Sequence, residues 1–192
     1  MAEPLEDAVE SENKQVALII AILALFLALA EAGAKNAQHR STEQNIEASD
    51  LFNFFQAKKV RSTVAETAAE SFEAIAPTVT DEKASAAIEK QIAAWKATVA
   101  RFEHDPKKPE DSLDKIQERA SQQQEGRELS NRRLEHFEYA SGALQIAIVL
   151  ASAAIITGIG MLAWAAAGLG LIGAILMAFG YLAPTVLGFI GG

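Results

Sequence analysis

Hydrophobic and polar positions divide the chain into an apolar block near the start, a long mixed middle and a second, larger apolar block. Val16–Ala30 is unbroken apolar sequence, and Ala140–Gly192 contains no Asp, Glu, Lys or Arg. A helix that crosses a bilayer needs about 20 apolar residues, or about 30 Å at 1.5 Å per residue. With Gln15 and Glu31–Ala34 added, the first block reaches that length and predicts a span over residues 15–34. The last block, 140–192, is long enough for a helical hairpin of two spans, at about 141–163 and 168–190, with Trp164–Gly168 as the turn. A soluble hairpin this apolar would need a large covering domain, and the polar middle has no means of forming one. The expected fold class is therefore all-α with three transmembrane helices.

The middle, residues 35–139, has helical periodicity almost throughout. Val60, Val64, Ala68, Phe72 and Ile75 form one stripe, and Ile88, Ile92, Trp95, Val99 and Phe102 form a cleaner one alternating four and three. Leu113, Ile116, Ala120, Leu134 and Phe137 keep the same phase, with Gln123, Arg127 and Ser130 between them. Breaks are expected near 76–80 and 104–110, where Pro77, Pro106 and Pro109 disfavour helix. Thr80-Asp81-Glu82 reads as a helix start. No break separates the first span from Ile75, or Leu113 from the second span. The middle is thus expected to be a long antiparallel helical-hairpin stalk, coiled-coil-like, with Ile46 facing Leu129 and Val60 facing Ile116. A chain that leaves and re-enters one membrane face makes an even number of traverses. Either residues 81–104 and 113–139 form one broken return arm, or the middle helix packs sideways. Gln38–Gln44 on one arm and Gln122–Arg133 on the other form a polar zone able to fix register.

Charge sets the orientation. Sixteen of the seventeen Lys and Arg residues lie from Lys35 to Arg133, and only Lys14 lies elsewhere. The positive-inside rule then puts the middle and the C-terminus in the cytoplasm, and the acidic N-terminal tail, residues 1–14, outside. Ala28-Leu-Ala30 has the form of a signal-peptidase site, but the segment before it is acidic where a signal peptide is basic. A net charge of −8 argues against a nucleic-acid partner. The absence of cysteine removes disulfides, thiolate metal sites and a Cys nucleophile.

Ala48-Ser-Asp50 and Gln56-Ala-Lys58, set around the aromatic cluster of Leu51–Phe55 after a single span, carry a family resemblance. So do His136-Phe-Glu-Tyr139, Gln145–Ile148 and Ala151-Ser152 before the terminal hairpin. Over most of Lys14–Leu187 the chain resembles an uncharacterised bacterial membrane family, domain of unknown function 4337. The resemblance implies a multi-pass protein of the bacterial inner membrane and brings no catalytic residues with it.

Small residues form the sharpest constellation. Ala17, Ala21, Ala24 and Ala28 are spaced four, three, four, and Ala147, Ala151, Ala154 and Gly158 repeat the pattern. Gly170, Ala174 and Ala178 form a third ridge. Membrane helices associate through such ridges by close backbone approach, here either within one copy or between copies; against this stands the plain abundance of alanine. Phe52, Phe54 and Phe55 exceed what a two-helix hairpin can bury, which points to a third helix or a subunit interface. Glu31 continues the first alanine stripe four residues before Lys35, as an interfacial ion pair or as part of an ion path. His39 and His136 fall at equal distances from the membrane in the hairpin, a weak metal-binding or pH-sensitive collar without His-x-x-x-His spacing.

No Ser-His-Asp arrangement, phosphate loop, cofactor fingerprint or paired acids in a cleft is legible, so neither an enzyme nor a cofactor is expected. The expected function is a self-associating structural or scaffold protein, a homo-oligomer whose partner is the lipid bilayer. The alternative is a small oligomeric channel or transporter-like pore, and the third reading a membrane-bound sensor or enzyme.

Overall fold

A computed structural model describes residues 3–185, and the part of the expected third span beyond Thr185 lies outside the described residues. Four α-helices account for nearly all of it: α1 (Glu3–Ile75), α2 (Glu82–Glu103), α3 (Leu113–Thr157) and α4 (Gly160–Leu182). Among the described residues there is no strand. Three of the helices are long and apolar enough to cross a membrane. The chain divides into two compact units, one of Met1–Thr42 with Arg127–Gly192, the other of Glu43–Gly126.

In the first unit α1, α3 and α4 share an apolar core. Leu23, Ala30 and Ala37 recur every seventh residue on α1, with Ile19 before them and Phe26 and Gly33 between them on the same face. Phe137, Ala140, Leu144 and Ala147 answer from α3, and Met177 from α4. This three-and-four spacing is that of helices packed at a shallow angle with interlocking side chains. The inward face of α4 is Ala166, Gly170, Gly173, Met177 and Gly180, so its backbone approaches both neighbours closely. A Cβ at Gly173 would lie 2.8 Å from Leu144 Cγ and 3.2 Å from the Ala140 carbonyl.

The α3–α4 turn differs from the expected one. It falls at Gly158-Ile159, and Trp164–Gly168 lies inside α4. Gly158 has φ 68°, which glycine adopts without a Cβ penalty, and its amide bonds the Ala154 carbonyl at 2.9 Å. Ala165-Ala-Ala167, by contrast, is sequence that favours helix. Of the two apolar helices expected as spans, the first therefore ends at Thr157 and the second begins at Gly160. At the other end of the chain, α1 extends back over the acidic segment to Glu3.

In the second unit α1 packs against α2 and the start of α3. Phe72 meets Trp95 edge to face at 5.0 Å between centroids, and Glu73 pairs with Lys96. The Lys58 ammonium lies over the rings of Phe54 and Phe102 and donates to the Asp111 carbonyl. Leu51 packs on Ile116 and Ala120, and Gln44 lies against Gly126. As the chain advances from Trp95 to Gly126, its partners on α1 step back from Phe72 to Gln44.

Two sequence expectations fail here. The stripe from Val60 to Ile75 is not the buried face: Val60 and Val64 are 62% and 64% exposed, while Ser62, Ala65 and Ala69 are buried. Small side chains let α2 approach and Val60 and Val64 are left outside, while Phe72 of the same stripe meets Trp95. Val60 therefore does not face Ile116, which belongs to Leu51, and Ile46 is exposed. The α2 stripe Ile88–Phe102 does turn inward, with Ile92 buried.

The breaks have local causes. Pro77 follows the end of α1, and Thr78 Oγ1 donates to the Ile75 carbonyl at 2.7 Å. Asp81 caps α2 by accepting from the Ala84 amide at 2.8 Å. Between α2 and α3, Asp105 accepts from the Lys107 and Lys108 amides, and its own amide donates to Ser112 Oγ at 3.0 Å. Those amide donors, Lys107 first, hold the Asp105 carboxyl below its ordinary value, with Arg101 and Lys58 adding to the effect. Lys115 is raised by its pairing with Glu118 at 2.6 Å.

Candidate functional site

The small-residue ridges have different fates. Ala147, Ala151 and Ala154 are buried in the three-helix core, whereas Gly158 forms the turn. On α4, Gly170 is buried against Leu23, Ala174 is half-buried and Ala178 is exposed. Ala17, Ala21, Ala24 and Ala28 all lie exposed on the outer face of α1. The core instead takes the parallel row of Leu23, Ala30 and Ala37. Glu31 and Lys35 are exposed on α1 as well.

Phe55 is half-buried against the Leu51–Ile116 cluster, while Phe52 and Phe54 remain about half exposed, Phe54 beneath the Lys58 ammonium. His39 is exposed on α1. His136 is 1% exposed, packed by Phe179 and Gly180, with Nε2 3.2 Å from the Pro184 carbonyl. The two histidines face different surroundings, so the collar has no geometric basis. Among the described residues no group of three or more His, Asp or Glu side chains is arranged to hold a metal. In the apolar part of α3 the polar side chains bond locally: Gln145 donates to Ser141 one turn back, and Ser152 and Thr157 donate to carbonyls of their own helix.

A cleft of about 410 Å³ opens where the apolar part of α1 gives way to polar sequence. Its floor is Phe137, 3% exposed and edge to face with Tyr181 at 4.8 Å between centroids. The ring reaches this position because Gly33 lacks a side chain; a Cβ there would lie 2.8 Å from Phe137 Cε1. Asn36 and Arg40, one turn apart on α1, form one wall, and Ser130 and Arg133 on α3 form another. Nearby, Ser41 donates to Asn131 Oδ1 at 2.6 Å and ties the same two helices. Two lining residues are cationic, none is acidic, and the buried Arg133 Nε has no hydrogen-bond partner. The sequence places Arg40 and Arg133 within the polar zones Gln38–Gln44 and Gln122–Arg133 of the two arms but singles out neither as a site residue. They are far apart in the chain, and only the α1–α3 register brings them together.

Residues 12–183 match the model of a family described as Domain of unknown function (DUF4337). No curated protein and no solved structure matches the chain.

Proposed function

This chain belongs to the DUF4337 family, and from that premise we propose that it is an inner-membrane structural protein that self-associates through the outer face of α1. The three apolar helices are its spans, with the middle of the chain and the C-terminus in the cytoplasm and the N-terminus outside. The second unit forms an antiparallel stalk whose return arm is α2 followed by α3. The stepwise retreat of contacts from Phe72 to Gln44 supports that course.

One observation carries the self-association. The exposed row Ala17, Ala21, Ala24 and Ala28 is a close-approach surface that none of the described elements covers. Within one copy the core already has its own row. Ile46, Val60 and Val64 form a further exposed apolar strip on α1, of a kind that marks contacts between proteins.

Cysteine substituted at Ala24 is expected to form oxidative crosslinks between copies in native membranes, and cysteine at the core position Ala30 is not. Monomeric behaviour in mild detergent, with no crosslink at Ala24, refutes the proposal. A channel would need several copies, because the interior of one copy is filled by Leu23, Leu144 and Met177. Glu31 and Lys35 would then line the pore from the outer face of α1.

A further inference from the structure

We propose that the cleft between Arg40 and Arg133 binds a phosphate-bearing anion, supplied by the headgroup of an anionic phospholipid in the cytoplasmic leaflet. The cleft stands on geometry alone, and only the source of its ligand rests on the membrane reading above. Guanidinium groups from two helices converge on one opening of about 410 Å³, with Asn36 and Ser130 as further polar groups and no acid on the lining. A planar guanidinium is weakly hydrated and matches two phosphate oxygens at once. Arg133 Nε makes no hydrogen bond to the protein, so that donor is not committed to an acceptor of the chain itself.

The location selects the lipid. The cleft lies just beyond Ala30, where the unbroken apolar run of α1 ends, and close to the end of α4 at Leu182. Its rim carries Tyr181, an aromatic with a polar tip of the type enriched at membrane interfaces. One turn further into the apolar run Leu29 is exposed, suited to an acyl chain below a held headgroup. Basic pockets between spans on the cytoplasmic side have the charge to hold anionic headgroups.

The test uses the full chain in nanodiscs or micelles containing phosphatidylglycerol, phosphatidylcholine, or phosphatidylcholine with millimolar inorganic phosphate. Bound lipid is counted by native mass spectrometry, and thermal unfolding is recorded in parallel. Wild type is expected to retain phosphatidylglycerol about tenfold better than an Arg40→Gln, Arg133→Gln double variant, and to ignore phosphatidylcholine. The exposed Arg40→Gln change alone keeps the test open if the double variant misfolds, and it should give part of the same loss. Arg132→Gln, which leaves the lining intact, should retain lipid like wild type. Equal retention by wild type and the Arg40 variants overturns the proposal, as does an equal loss in Arg132→Gln. Stabilisation by inorganic phosphate alone, lost in the double variant, keeps the anion site but refutes the lipid source. Failure of the chain to float with vesicles refutes the membrane reading separately, whatever the variants do.

Discussion

The two units solve the same packing problem with different materials. In the first, helices approach through glycine and alanine, and the core is Leu23, Leu144, Met177 and Phe137 with no charged member. In the second, the helices are joined by an aromatic pair, a Lys96–Glu73 ion pair and a lysine held between two phenylalanine rings, around a small cluster at Ile116. On the membrane placement proposed above, with the first unit in lipid and the second in water, the difference follows from solvent. In lipid, apolar side chains gain nothing by leaving their surroundings, so close backbone contact supplies the attraction. In water, burying even a modest apolar cluster is favourable, and polar groups on the remaining surface are tolerated.

Truncation of Ile116 should give the largest separation between the units. Its side chain is fully buried, so Ile116→Ala removes both water-transfer energy and packing, and should cost about 3 kcal/mol. The urea midpoint of Trp95 fluorescence, in a Trp164→Phe background, measures this. A change within about 0.5 kcal/mol would mean the second unit has no working core. In the first unit the sensitive change is enlargement. Gly173→Val meets Leu144 and a backbone carbonyl that cannot move aside, and should cost about 2 kcal/mol. Thermal unfolding in mild detergent reads it, and wild-type stability would show that the close approach of α4 is dispensable.

The smallest expected effect concerns pH. Asp105 has a folded value below the ordinary carboxylate value, so its ionised form contributes stability above that ordinary value. The contribution is lost as pH falls through the folded value, below about pH 4. Amide-exchange protection at Lys107 and Lys108, corrected for intrinsic rates, should therefore fall there, and Asp105→Asn should remove the dependence. Amides of the first-unit core should not respond.

The legible part of the molecule was what composition and proline determine. Pro77, Asp81 and Pro109 mark breaks because a missing donor or a capping carboxylate acts within a few residues. The apolar runs fix three helices long enough to span a bilayer for the same local reason. What depended on the face of a helix was not legible. In the run from Val16 to Ala30 the row at Ala17 and the row at Ile19 have the same spacing, and both are apolar. Between Val60 and Ala69 the smaller row was buried and the more hydrophobic one left out, against the usual reading of a stripe.

The sequence by itself determined helix type, helix limits near proline and the separation of apolar from polar segments, because each follows from interactions a few residues apart. The tertiary structure alone decided the α1–α3 register, the Gly158 turn in place of Trp164–Gly168, and the meeting of Arg40 with Arg133. Those depend on which side chains are small enough to let two backbones approach, a property of pairs of helices that one helix does not carry.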